Sequence, residues 1–300
     1  MTTFNQQIPL NHKGISLFIK REDLLHPFVS GNKFRKLKYN LLQAKADNYH
    51  QIVTFGGAFS NHIAATAYAC FENNMQSVGI IRGEELASKI NSNPTLKFAQ
   101  EYGMKFEFIT RENYRDKTDT FFLESLENKY GKHYVIPEGG ANDLAVKGCE
   151  EILTSQDVVF DYICCAIGTG TTIAGLINSA YPNQKILGFP ALKGDFLQND
   201  IRKFAFKNNW ELILKYHFGG YGKVTTELIQ FMNQFYLDTN IPLDPVYTSK
   251  MVFGVLDLIH QDYFQENTKI LLIHTGGLQG IKGMNDYLEL KKRIKIAYHE

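Results

Sequence analysis

The sequence carries almost no excess charge: 32 basic and 31 acidic side chains leave +1 over 300 residues. That balance gives no electrostatic case for binding nucleic acid or an anionic membrane surface. No uninterrupted apolar run approaches the roughly 20 residues that a spanning helix needs. The opening Met1-Thr2-Thr3-Phe4-Asn5-Gln6-Gln7 has neither a basic region nor an apolar core, so no secretory signal is expected. Cysteine is scarce. Cys70, Cys149, Cys164 and Cys165 lack metal-site spacing, and the adjacent pair lies in an apolar strand pattern, as buried thiols do. The expectations are a reducing cytoplasm, no metal, and neither nucleic acid nor membrane as a partner. Internal repeats and low-complexity linkers are also missing.

What the chain does have is alternation. Apolar strand patterns at 15–20, 51–55, 77–81, 105–109, 134–136, 162–167, 185–189, 211–215 and 270–274 are separated by helical periods. Those periods fall near 33–46, 62–72, 94–102, 119–129, 144–153, 171–179, 194–208, 226–238 and 250–262, with 280–292 last. Such alternation means βα units on mostly parallel sheets with helices on both faces. A chain of this length suits two lobes or one large α/β unit. Ile136-Pro137-Glu138-Gly139-Gly140-Ala141-Asn142 breaks both periods and is the expected crossing between lobes. Ligands in such sheets sit at the carboxyl ends of strands, where the informative loops fall.

The stretch Ser30-Gly31-Asn32-Lys33-Phe34-Arg35-Lys36-Leu37 puts Lys33 behind a Gly-Asn turn and in the first turn of a helix. The positive end of the helix dipole and any burial favour the neutral amine that imine chemistry needs. The alternative is an ordinary surface lysine among Arg35, Lys36 and Lys38. In Gly56-Gly57-Ala58-Phe59-Ser60-Asn61-His62, the glycines admit a ligand close to the backbone, and Ser60 and Asn61 stand at a helix start. They either meet a ligand or only cap the helix, and His62 is the next helical residue.

Gly168-Thr169-Gly170-Thr171-Thr172 offers consecutive amides and three hydroxyls, a phosphate cradle or else a plain glycine turn. No lysine follows as in a P-loop. Ile173 stands where the third glycine of a dinucleotide fingerprint belongs, and the next strand lacks a ribose-binding acid. A phosphate monoester therefore fits better than a pyrophosphate. Tyr221 in Gly220-Tyr221-Gly222 must project from its loop. Tyr247 in Asp244-Pro245-Val246-Tyr247 precedes a helix and either packs on a flat ring or acts as a staple. Thr275 in His274-Thr275-Gly276-Gly277 either meets a heteroaromatic nitrogen or marks another strand-to-helix turn.

These six motifs occur in one order from about Phe18 to Gly277. The set resembles the pyridoxal-phosphate family of 1-aminocyclopropane-1-carboxylate deaminases and D-cysteine desulfhydrases, of the tryptophan-synthase-β-like fold (fold type II). The resemblance implies a two-lobed α/β enzyme with open, mostly parallel sheets, and suggests a homodimer. The larger lobe is expected from 1–35 plus 143–300, and the smaller inserted lobe from 36–142, with pyridoxal 5'-phosphate between them. It also implies that Lys33 condenses with the cofactor aldehyde and later moves protons at the substrate Cα. Gly168, Thr169, Gly170, Thr171 and Thr172 would hold the phosphate, Asn61 the ring hydroxyl and Thr275 the pyridine nitrogen, while Tyr247 would stack on the ring. Ser60, Asn61, His62 and Tyr221 would meet the amino-acid substrate, with Ser60, Tyr221 and Tyr247 joining Lys33 as catalytic candidates.

Two positions sort the activities within that family. Ring-opening deaminases carry Glu after the tyrosine of Asp-Pro-Val-Tyr and Leu in His-Leu-Gly-Gly; here those positions are Thr248 and Thr275. A hydroxyl keeps the ring nitrogen protonated less well than a carboxylate does. His62 follows the desulfhydrase pattern, where ring-opening enzymes more often have Gln. The expected reaction is therefore β-elimination from D-cysteine, giving pyruvate, ammonia and sulfide. Ring-opening deamination, or another D-amino-acid lyase or racemase, is the alternative among enzymes. A non-catalytic pyridoxal-phosphate-binding protein is the alternative of another class, and the joint presence of Lys33, Ser60 and Tyr221 speaks against it. Phe34 and Phe59 replace the family's usual Thr and Gln.

Overall fold

The structure is a computed structural model that describes residues 3–194 and 197–298. In chain order, β1 (Asn5–Ile8) and β2 (Ser16–Lys20) lead into α1 (Asn32–Ala46). Next come β3 (Gln51–Gly56), α2 (Asn61–Glu72), β4 (Gln76–Arg82), α3 (Pro94–Glu101), β5 (Lys105–Ile109), α4 (Thr120–Tyr130) and β6 (Tyr134–Ile136). The remainder is α5 (Asp143–Glu150), β7 (Tyr162–Ile167), α6 (Thr171–Ser179), β8 (Lys185–Pro190), α7 (Leu197–Arg202), β9 (Trp210–Leu212), α8 (Thr226–Thr239), α9 (Thr248–His260), β10 (Lys269–Ile273) and α10 (Gly280–Leu290).

Two sheets result, a six-stranded one in the order β1-β2-β10-β7-β8-β9 and a four-stranded one in the order β5-β4-β3-β6. Every pairing is parallel except β1 on β2. Strands buried on both faces need continuous apolar sequence. In β7, neighbouring Cys164 and Cys165 accordingly enter two different cores on opposite faces of the large sheet. The small sheet is likewise covered on both sides, by Ile63, Leu96 and Ala99 on one and Tyr114 and Leu126 on the other. No helix among the described residues is long and apolar enough to cross a membrane.

Three local expectations differ from the structure. β1 is a polar edge strand, Asn-Gln-Gln-Ile, with too little apolar periodicity to announce itself. The strand expected at 211–215 ends at Leu212, and Leu214–Tyr216 turns as a 3-10 helix so that the Tyr216 ring packs against Gly254 of α9. The helix expected at 194–208 is only Leu197–Arg202. The Asn178 side chain donates to Phe204 O and accepts from Phe206 N, taking the backbone groups that a longer helix would use. Asp195 and Phe196 lie outside the described residues.

The helix α1 is fixed from three sides. Leu37, Leu41 and Ala44 pack on Ile52, Ala65 and Ile136. Arg35 makes a two-pronged bond to the fully buried Glu22, at 2.8 and 2.9 Å. Gly148 of α5 comes so close that a Cβ there would lie 1.9 Å from Arg35 O. Gly148→Ala is therefore expected to cost about 1–3 kcal/mol by overpacking, read as a lower urea midpoint with unchanged slope. The turn before α1 is equally constrained: Gly31 has φ +60°, and a Cβ on it would sit 2.1 Å from Thr275 O. Only glycine fits, so the lysine turn is locked to the end of β10.

Candidate active site

The carboxyl ends of β3, β4 and β7 open onto one cleft of about 920 Å³. Lys33, Ser60, Asn61, His62, Gly168, Thr169, Gly170, Thr172, Tyr221, Tyr247 and Thr275 all line it. Thr171 does not. It is fully buried behind the wall, with its hydroxyl 3.3 Å from that of Thr169. Of the two unusual phenylalanines, Phe59 lines the cleft, whereas Phe34 turns into the apolar side of α1.

The Lys33 amine has no hydrogen bond or ion pair among the described residues. Its side chain is only half-buried because part of it borders the cleft. Protein packed behind the amine removes it from water, and with the positive charge of Lys36 this holds its pKa well below the ordinary lysine value. Nearby Cys149 opposes the shift but does not reverse it. The result is an unengaged amine, biased towards its free-base form and facing an open space.

Three residues further along α1, Lys36 is in a different state. It is 2% exposed, and its ammonium donates to Gly139 O at 3.1 Å and Thr169 Oγ1 at 3.4 Å. Burial lowers its pKa as well. No carboxylate among the described residues pairs with it. Beside it, the N–H groups of Gly170, Thr171, Thr172 and Ile173 have no acceptor among the described residues, as expected for the start of α6. Gly170 makes this turn in the left-handed region, φ +87°. Asn32 Nδ2 holds Thr172 Oγ1 at 2.9 Å and so braces the cup against α1. A buried cation without a counter-charge beside free amides is a donor set suited to a phosphate. Sequence reading did not single out Lys36; the available signal was its i,i+3 spacing from Lys33 on one helix face.

Across the cleft, Ser60 caps α2, its oxygen accepting from His62 N at 3.2 Å and Ile63 N at 3.4 Å. The hydroxyl proton remains free to be donated into the cleft. Asn61 Oδ1 accepts from Gln279 Nε2 at 2.8 Å. His62 is buried, with Nε2 2.8 Å from Thr54 Oγ1. Thr54 gives its one hydroxyl proton to Ile136 O at 2.8 Å, so His62 must be the Nε2–H tautomer. Its Nδ1 is left buried without a partner among the described residues. Burial, reinforced by Lys33 and Lys36, depresses its pKa and keeps the ring neutral.

The far wall is aromatic. Tyr221 and Tyr247 meet edge to face, with centroids 6.1 Å apart. Gly168 allows the Tyr247 ring to lie directly on the threonine loop, since a Cβ there would be 3.2 Å from it. Burial holds the Tyr247 phenol well above its ordinary pKa, and burial also raises Tyr221. Tyr221 is 46% exposed, so its rise comes from the cleft wall around the hydroxyl rather than enclosure of the ring. Thr248 points away from the cleft: its hydroxyl donates to Asp244 Oδ2 at 2.6 Å. Thr275 is 7% exposed, lines the cleft, and its hydroxyl has no partner among the described residues.

Lys250 ties this wall together and was also missed; a lone lysine on the buried face of α9, three residues after Tyr247, was the signal. Its ammonium donates to His217 O at 3.0 Å and Gly220 O at 2.9 Å, pinning the loop that carries Tyr221. Burial lowers its pKa to about 8. Above that value the folded protein sheds a proton that the unfolded chain keeps until about 10.4, so the charging penalty disappears as pH rises through this window. Stability measured by urea unfolding is expected to gain from pH 8 to 10 relative to Lys250→Met, in which this gain is absent.

Known proteins resemble this chain over most of its length. A family model described as pyridoxal-phosphate dependent enzyme matches residues 4–276. The Arabidopsis thaliana protein named bifunctional D-cysteine desulfhydrase/1-aminocyclopropane-1-carboxylate deaminase, mitochondrial, is 33% identical, the match covering 89% of this chain and 74% of that one. A Klebsiella pneumoniae protein named D-cysteine desulfhydrase is 27% identical over 93% of this chain and 92% of its own. The solved structure of an "ACC deaminase homologue" superposes with a TM-score of 0.82 at 29% identity, covering 97% of this chain and 94% of that one.

Proposed function

The chain belongs to the family of pyridoxal-phosphate-dependent enzymes, and from that premise we propose that it is a lyase acting on D-cysteine. The reaction is D-cysteine plus water giving pyruvate, ammonium and hydrogen sulfide. The observation that carries the reading is the unengaged Lys33 amine, its pKa held well below the ordinary lysine value, sharing a cleft with the Lys36–threonine cup.

In this reading the phosphate is held by Lys36, Thr169, Thr172 and the amides at the start of α6, and Tyr247 forms the flat wall. Pyridoxal phosphate supplies an electron sink for the Cα–H bond when bound there. Lys33, whose lowered pKa favours the free amine, takes the Cα proton. Ser60 donates its free hydroxyl proton to the substrate carboxylate, which the positive end of α2 also favours. Tyr221 stays a protonated phenol and can hand a proton to departing sulfur. Asn61 would meet the ring hydroxyl, and neutral His62 would bound the substrate.

Elimination is preferred over ring opening because Thr275, which would meet the ring nitrogen, lines the cleft with a hydroxyl, while Thr248 is folded back onto Asp244. Neither supplies a carboxylate. Four buried, unbridged cysteines support residence in a reducing cytoplasm. We also propose a homodimer. The partly exposed rings of Tyr68, Phe71 and Tyr102 on the small lobe, with Phe28 packed against Tyr68 and Tyr102, support it, and equilibrium sedimentation checks it.

The test is an assay of the purified, cofactor-loaded protein for pyruvate and sulfide from D-cysteine and 2-oxobutyrate from 1-aminocyclopropane-1-carboxylate. Equal pyruvate and sulfide, with kcat/KM at least about tenfold above the ring-opening value, is expected. Faster ring opening would favour the deaminase. Turnover of no amino acid by loaded protein would favour a binding protein.

A further inference from the structure

The mouth of the cleft carries three basic side chains besides the two lysines of α1, and two of the three are paired with carboxylates. Lys117 pairs with Glu138 at 3.3 Å, and Lys203 with Asp200 at 2.6 Å. Arg82 lines the same cleft and has no carboxylate partner and no hydrogen bond among the described residues. It is nevertheless placed. Its guanidinium sits 5.6 Å from the ring centroid of Tyr114, a buried tyrosine whose ring also receives Lys117 at 4.7 Å. A cation on an aromatic face keeps its hydrogen-bonding edge free.

The place is informative. Ile81 is abreast of Gly56 in the paired strands, so Arg82 stands beside Gly57, just ahead of Ser60 and Asn61. A Cβ added at Gly57 would meet only Arg82 Nη2, at 3.8 Å, so the guanidinium lies within van der Waals reach of the glycine loop and nothing else crowds that position. From the opposite wall, the charge of Arg82 reaches Tyr221 and opposes the rise in its pKa. The cleft volume of about 920 Å³ is near the upper end of the ~300–1,000 Å³ usual for ligand pockets. It leaves room for a side chain longer than cysteine's.

We infer that Arg82 is a specificity residue, and that the preferred substrates carry an anion, such as a carboxylate, on the group attached to Cβ. This deepens the lyase reading and rests on it. With S-carboxymethyl-D-cysteine the Cβ–S bond breaks with its electron pair going to sulfur, the Cα proton goes to Lys33, and sulfur gains a proton to leave as thioglycolate. Water supplies the keto oxygen of pyruvate as ammonium departs.

The uncharged, near-isosteric S-carbamoylmethyl-D-cysteine isolates the charge. For the cofactor-loaded protein, pyruvate release is expected with kcat/KM at least about tenfold higher for the carboxymethyl compound. Arg82→Gln should lower that value about tenfold, mainly through KM, and change the carbamoylmethyl value less than about threefold; Arg82→Lys should restore part of the difference. Calorimetric Kd values on cofactor-supplied Lys33→Ala, which does not turn the compounds over, should show the same tenfold preference and its loss on adding Arg82→Gln. Equal use or equal binding of the two compounds, or an equal loss for both in Arg82→Gln, overturns the inference. A kept Kd preference without pyruvate from any substrate, D-cysteine included, supports Arg82 and sinks the lyase reading instead.

Discussion

Replacing Lys33 with alanine is expected to lower kcat for pyruvate release by at least about 10³-fold, while the cofactor-free protein melts at the same temperature or higher. The two halves come from one physical situation. The amine lies at the positive end of α1, is desolvated, and feels the charge of Lys36, so protonation there is unfavourable. It also has no hydrogen-bond partner whose loss would need compensation. The side chain therefore contributes chemistry and little stability. The sign of the pH effect follows. A lysine with a depressed folded-state pKa penalises folding fully below that pKa, and the penalty fades as pH rises towards the unfolded value. The melting advantage of Lys33→Ala should accordingly be largest at low pH and shrink in alkali, as differential scanning calorimetry across pH would show. A variant that loses activity and also melts much lower at every pH would mean that Lys33 is structural.

Lys36→Met is expected to weaken pyridoxal phosphate binding by about 30–100-fold, roughly 2–3 kcal/mol for a charge-assisted bond to phosphate in a desolvated cup. Pyridoxal, which lacks the phosphate, should bind the variant and the parent within about threefold. The difference between the ligands carries the argument, because a general disturbance of α1 would weaken both. Methionine preserves the length of the stem that packs beside Gly139 and Gly140, so lost packing should be minor. Removing an unpaired buried cation should also stabilise the cofactor-free protein. Equal weakening of both ligands would place the phosphate elsewhere.

Much of this fold was legible because parallel βα units write each strand, loop and helix with consecutive residues. The strand at 162–167 and the helix at 171–179 have the same bounds in sequence pattern and structure. The glycines and small polar residues between them mark a turn that no other composition makes as readily. What stayed hidden depends on partners distant in sequence. Nothing near Lys36 announces that Gly139 and Thr169 will surround it, and nothing near Lys250 announces the carbonyls of His217 and Gly220. Arg82 lay one residue past the strand expected at 77–81, with no motif around it. The Asn178 side chain, by capturing the backbone of residues 204 and 206, ended a helix whose own sequence ran on.

The identity of the amine that bonds the cofactor is the claim on which the account turns, and it can be measured directly. Protein incubated with pyridoxal phosphate, reduced with borohydride and mapped by peptide mass spectrometry should carry the cofactor mass on Lys33, with Lys36 and Lys250 unmodified. Cofactor mass on Lys36 or Lys250, or on no lysine at all, would contradict it.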